Sequence, residues 1–298
     1  MSHSIDLARI PAPDIVEALD ADAIVAALKA DILTRAPDLA EVLSLESEPV
    51  VKLLEVAAWR EIVLRNRINH AARAVMLAQA TGADLDNLAA LMGVTRLVLD
   101  PGDATAVPPV AASYEADDDL RRRVQLAPEG ATAAGTAGSY LFYALAADPQ
   151  VADAAVLAPV PGSGRVEITI LARDGDGRPA DDLLTRVAAA IEPHRVLTDR
   201  LSLHRPTIRS WRLEAVLTLF PGPDADVVQG AARSALDAYL QASRRLGYDI
   251  TISGLHHALH QPGVQRVALI SPAADIVCAP TEAAHCTAIA ISGGARDV

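Results

Sequence analysis

"LESEPVVKLLEVAAWREIVLRNRINHAARAVMLAQATG", residues 45–82, has no glycine or proline between positions 50 and 81. It reads as one helix. Ser47 is placed to cap it, and Pro49 suits a first turn, where the missing N–H is no loss. A helix over 48–80 would be about 50 Å long at about 1.5 Å per residue. Its middle, "VAAWREIVL", carries Val56, Ala57, Ala58, Trp59, Ile62, Val63 and Leu64. These point around most of the circumference, and a helix apolar on nearly all sides must be covered on nearly all sides. Val56, Trp59, Ile62, Val63, Leu64 and Ile68 are therefore read as an interface for another chain. The competing reading is burial within one large domain.

The neighbouring helices are short. Asp22 to Thr34 carries Ile24, Ala27, Leu28 and Ile32 in a helical stripe that stops before Pro37. After the long helix, "QATGADLDNLAALMGVTR" (79–96) reads as a helix end, a tight turn and a second helix. Gly82 is suited to close the first and Asp84 to cap the next. Leu85, Leu88, Ala89 and Met92 form one apolar face, and Gly93 closes it. Residues 1–98 thus read as a helical domain.

Residues 99–114, "LDPGDATAVPPVAASY", break the pattern. Pro101, Gly102, Pro108 and Pro109 predict an extended linker able to pivot. Past it, "DDDLRRRVQ" opens a helix, acids first and arginines later, as the helix dipole prefers. "AGTAGSYLFYALAAD" predicts another. From about 150 the period changes to two: "VADAAVL" and "GRVEITILA" alternate as strands. A helix over "ADDLLTRVAAAI" and a short strand "DRLSLHRP" follow. The order then partly repeats, with strand "IRSWRLEAVLTLF", a helix over "GPDADVVQGAARSALDAYLQA" (222–242), a short helix "SGLHHALH" and strand "GVQRVALI". The tail from about 279 adds a strand and then frays. The fold predicted is α+β: a long-helix domain, then two small α/β sandwich units at 115–205 and 206–298.

Composition narrows the function. The 298-residue chain is 51% hydrophobic but only 3% aromatic. Its core must rest on Ala, Val, Leu and Ile, which leaves little material for an aromatic-lined pocket. The formal charge of −12 argues against a general nucleic-acid binder, which needs a positive footprint. Lysine occurs only at Lys29 and Lys52, so nearly every fixed positive charge is a planar arginine suited to interfaces. The N-terminus does not read as a signal peptide, and no apolar run is long enough to span a membrane. Two cysteines, Cys278 and Cys286, point to a reducing compartment.

Each candidate site falls short of its chemistry. Asp174 and Asp176 in "RDGDG" resemble the start of a calcium loop, but the further ligands and the distal glutamate are missing. Asp117, Asp118 and Asp119 point in different directions and suit a helix start. Gly130, Gly135 and Gly138 follow no strand, so they form no dinucleotide fingerprint. His256 and His260 sit one turn apart. The metalloprotease pattern needs glutamate where His257 stands, and a further zinc ligand would have to come from His285 or Cys286. A hydrolase-like or metal-dependent enzyme built on Asp174, Asp176 or the His256–His260 pair is the rival reading. No catalytic residue, cofactor or metal is assigned.

Read together, "IPAPDIVE", the stretch from Leu45 to Val98, "YEADDDLRRRVQ" with "AGTAGSY", "VEITILARDGDG", "LFPGPDADVV" and "LGYDITISGLHHALHQPGVQRVAL" resemble, in order, the baseplate J family of contractile phage tails and tail-like bacteriocins. The resemblance implies a structural wedge component of the plate at the tail tip, which fires sheath contraction. It implies as partners a second copy of this chain, a smaller wedge protein of the I family, and other baseplate and sheath-initiating proteins. The long helix would then sit in a trimeric bundle. It also implies a virion tail location, assembly in the bacterial host cytoplasm, and no nucleic-acid or membrane partner.

Overall fold

The computed structural model describes residues 5, 7, 10, 11, 13–222 and 224–293. By contact the chain forms two units. Of the described residues, those up to Thr95 form one with Asp117–Arg121; Arg96–Ala116 and those from Arg122 onward form the other.

The first unit is helical. It contains α1 (Ala21–Arg35), the short α2 (Ala40–Leu43), α3 (Pro49–Ala74) and α4 (Gly82–Leu91). Asp20 caps α1, its carboxylate accepting from the N–H groups of Asp22 and Ala23. No residue of α1 is buried, so its apolar stripe leans on a neighbour without being enclosed. In α4 the predicted face is half realised: Leu85 and Ala89 are buried, while Met92 lies in the open. Gly93, with φ +70°, closes α4 as predicted, and the N–H of Val94 reaches back to Ala89 O. Gly82 also has positive φ, but it opens α4. Thr81 stands at the cap and Asp84 lies inside the first turn, so the predicted Asp84 cap is not formed.

In the second unit, residues 99–114 are not an extended linker. Strands β1 (Val98–Asp100) and β2 (Ser113–Tyr114) pair antiparallel, and Asp103 pairs with Val110 inside them. Turn chemistry in "DPGDAT" folds the hairpin. Asp100 accepts from Gly102 N–H at 2.8 Å, and Asp103 accepts from Thr105 N–H at 2.8 Å. Gly102 has φ +70°, and any Cβ there would meet Val110 O at 2.5 Å. The glycine is therefore fixed by close approach of the returning strand. At the hairpin base Glu115 is buried against Arg123, and Arg96 donates to its backbone carbonyl.

Helix α5 (Asp117–Gly130) and helix α6 (Ala137–Ala147) lead into a three-stranded sheet. Its strands are β3 (Val151–Leu157), β4 (Arg165–Ala172) and β5 (Arg200–His204), in the order β3-β4-β5. β3 and β4 are antiparallel. β4 and β5 are parallel and joined through α7 (Asp181–Ile191). The predicted alternation places Ile168 and Ile170 against Tyr140, Val187 and Ile191. Glu167 and Thr169 point the other way, yet Thr169 is buried too. The far face at that end is covered: Leu171 packs against Gly177 and lines a cleft with Trp211 and Arg244.

The last sheet has the order β7-β6-β8, from β6 (Thr207–Leu219), β7 (Val264–Ser271) and β8 (Glu282–Gly293). β6 runs antiparallel to β7 and parallel to β8. Leu213, Ala215, Leu217 and Leu219 are buried at every second position of β6. They face α8 (Ala225–Ala242) and α9 (Ile252–Leu259), which bury Val228, Ala232, Leu236, Leu255 and Leu259. The predicted tail strand is β8; the predicted fraying, at 294–298, lies outside the described residues.

The two sheets are fastened to each other by one loop. The guanidinium of Arg244 donates to the carbonyls of Asp174 and Gly175, and the N–H of Leu246 donates to Asp153. Arg122 on α5 pairs with the same Asp153 at 2.7 Å.

Candidate partner interface

α3 starts at Pro49 after Glu48, which is extended and gives no side-chain cap; Ser47 does not cap it. The helix ends at Ala74, several residues short of the predicted 80. At 26 residues it is about 39 Å long. No glycine or proline marks this stop. Residues 75–79 turn instead, with Gln79 and Ala80 N–H groups returning to Met76 O. The carbonyls this turn releases are taken by a distant residue: Arg121 donates to Leu77 O at 2.7 Å and to Ala80 O at 2.8 Å. Chain-end carbonyls need some partner, and here the partner lies more than forty residues downstream.

One line along α3 is packed. Val51, Ala58 and Asn69 are buried. The Asn69 amide accepts from Glu17 N–H at 3.0 Å and donates to Glu17 O at 2.9 Å, which pins the incoming chain. Arg65 pairs with Glu17 at 3.0 Å and with Glu61 at 2.6 Å, and these carboxylates raise its pKa above the ordinary value.

The other faces are open within this chain. Val56 is 58% exposed, Trp59 64%, Val63 47%, Leu64 63% and Ile68 56%. Ile62, the sixth residue of the predicted interface, is half-buried. It lines a cleft of about 430 Å³ between α1 and α3 with Val25, Val51 and Ala58. Sequence reasoning missed Leu53, 70% exposed, and Val75, 70% exposed, although both fall at helical spacing from Leu64.

The other candidate residues hold local structure. Asp176 accepts from Arg178 N–H in the turn between β4 and α7, and Asp174 O accepts from Gly177 N–H. Asp117 accepts from Gly82 N–H, and Asp118 pairs with Arg121. His256 lies on α9 and His260 caps its end, whereas His285 and Cys286 lie on β8 beside Trp211. Among the described residues no three His, Cys, Asp or Glu side chains come together as a metal would require. Cys278 and Cys286 are free thiols, and burial pushes both pKa values up. Among the described residues no helix is long and apolar enough to cross a membrane.

Fold and side chains together define a modular α+β protein, with the charged residues of its candidate sites holding caps, turns and junctions. Comparison with known proteins gives the family. The baseplate J-like N-terminal domain matches residues 46–103, the central domain 132–204 and the C-terminal domain 212–292. Baseplate protein J of Escherichia phage P2 is 43% identical over 300 residues, covering 98% of this chain and 99% of that one. A chain of the anti-feeding prophage (AFP) baseplate, solved by cryo-EM with 6-fold symmetrisation, overlays on 61% of this chain and 43% of its own length, at TM-score 0.41 and 19% identity. The chain belongs to the baseplate J family. It is a structural component of a phage tail baseplate, where it partners with other baseplate proteins.

Proposed function

We propose that this protein is a wedge subunit of the baseplate, needed for plate assembly and for triggering sheath contraction. It works without catalysis, metal or cofactor. Its partners are a second copy of itself, an I-family wedge protein and the neighbouring baseplate and sheath-initiating proteins, joined in the host cytoplasm. Residues 1–98 serve as the wedge-core domain, and the units at 115–205 and 206–298 serve as its α/β body. Val56, Trp59, Val63, Leu64 and Ile68 form the partner surface, with Ile62 at its edge.

The observation that carries this reading is the row of large apolar side chains along the solvent side of α3. Each costs roughly 1.5–3 kcal/mol of unrealised burial while it stays wet. Leu64→Asp tests it. Leu64 is 63% exposed and lies outside the α/β body, so the variant keeps that body's urea midpoint. It loses incorporation when co-expressed with the other baseplate proteins of its particle. Intact particles containing the variant would refute the partner surface.

A further inference from the structure

Arg165 and Arg200 begin the parallel strands β4 and β5 and stand directly opposite each other in the ladder. Neighbouring strands of this kind lie about 4.8 Å apart. Val166, Ile168, Leu201 and Leu203 turn to the helix-covered core, so alternation sends both arginines to the open face. Both are exposed, and among the described residues no hydrogen bond or ion pair reaches either guanidinium. Like charges directly opposite on neighbouring strands weaken a sheet. The nearby acids do not relieve this pair. Glu167, two residues along β4 on the same face, forms an ion pair with neither, and Asp199 accepts from the Tyr140 hydroxyl at 2.6 Å.

The same end of the sheet is apolar at its tips. Loop 158–164 leads into β4 and loop 195–199 into β5. The N–H of Arg200 donates to Gly164 O at 2.7 Å, and a Cβ on Gly164 would meet Thr198 O at 2.7 Å, so the two loops lie side by side. They expose Val160 (53%) and Leu197 (93%), and Asp199 is their single acid. Two planar guanidinium forks side by side fit carboxylates, each of which can take two N–H donors. In a chain of net charge −12, unmatched cations are a local reversal of field that steers acid toward them. We infer that this end of the first sheet docks an acidic segment of a neighbouring baseplate polypeptide, with its carboxylates on the Arg165–Arg200 pair and its aliphatic side chains on Val160 and Leu197. Glu167 sets the register, because it repels an acid placed further along the strands. The contact rests on the chain being a baseplate subunit and is independent of what covers α3.

Lysine occurs only at Lys29 and Lys52, so a lysine placed at the site can be followed against a low background. Arg200→Lys keeps the charge. In purified particles containing this variant, a zero-length carbodiimide is expected to join the new amine to an Asp or Glu of a neighbouring chain, identified by mass spectrometry of the linked peptides. A second measurement sets stability against assembly. R165Q and R200Q together remove the mutual repulsion, so the urea midpoint of the free chain should stay level or rise. Incorporation in competition with the parent chain should nevertheless fall about tenfold or more. Coupling only to Glu167 of the same chain, or no coupling to another polypeptide (the result expected of a nucleic-acid or lipid phosphate on the pair), would overturn the inference. So would a lowered midpoint or undiminished incorporation of the double variant. If that variant assembles fully while L64D does not, this contact fails and the α3 reading stands.

Discussion

The carboxylate of Asp153 on β3 accepts a hydrogen bond from the N–H of Leu246 at 2.8 Å, across 93 residues of chain. Its other oxygen pairs with Arg122 and accepts from Ala154 N–H. One buried side chain thereby joins α5, the first sheet and the loop between α8 and α9. Asp153→Ala would strand a buried N–H and leave Arg122 unpaired, at a cost of about 3–5 kcal/mol. Urea melts would show it. Both sheets are expected to lose structure at one lowered midpoint, read from Trp211 emission in a Trp59→Phe background and from near-ultraviolet dichroism of Tyr140 and Tyr143. Separate transitions for the two sheets in the parent chain would contradict this coupling.

Arg121 closes the carbonyls released where α3 ends. In Arg121→Ala those of Leu77 and Ala80 lose their donor, on the order of 1–3 kcal/mol each if water cannot replace it. Hydrogen exchange should speed up at the amides of residues 76–80 and in α4, and remain unchanged in α8 and α9. Uniform acceleration across the chain would mean that Arg121 holds more than this turn.

The hairpin at 98–114 makes a sharp distinction between glycines. Gly93→Ala meets open space and carries only the left-handed backbone cost, roughly 1–2 kcal/mol. Gly102→Ala carries that cost and also drives a methyl into the backbone at Val110–Ala112. Limited proteolysis should leave the parent chain and Gly93→Ala intact at 99–114 and cut Gly102→Ala there. Rapid cutting of the parent would restore the flexible-linker reading.

These cases show what the sequence carries and what it hides. Period-two stretches such as Val166-Glu167-Ile168-Thr169-Ile170 are local, and they became strands where they were read. The helix stop at Gly93 and the first-turn place of Pro49 were legible for the same reason, whereas the Ser47 cap did not form. The helix stop at Ala74 was hidden because its cause, Arg121, is distant in sequence. In 99–114 the prolines outweighed Asp100 and Asp103, whose short-range acceptors fold the hairpin. For the interface, five of the six residues read from the long helix are exposed. Ile62 is half-buried because it lies only about 40° around the helix from Ala58 on the packed line, and where α1 docks is not written in the local sequence.

Acid should loosen one end of β8. The Ala279 N–H and the Arg209 guanidinium hold the Glu282 carboxyl below the usual carboxylate range. A group with a lowered folded-state pKa adds stability above its unfolded pKa and loses it as pH falls through the folded value. The parent chain should therefore exceed Glu282→Gln in urea midpoint near neutral pH, and the two should converge as the pH falls below the usual glutamate value of 4.5. A constant gap down to strongly acidic pH would show that the carboxylate's charge is irrelevant there.

Helix α1 has no buried residue, and α3 keeps only three. Anything that binds these two helices in their folded form adds to their stability, in proportion to the logarithm of ligand concentration over dissociation constant. Their folded fraction is then a gauge of subunit supply. A chain made in excess of its partners keeps loosely held helices within reach of proteases, and a chain made in balance with them hides those helices.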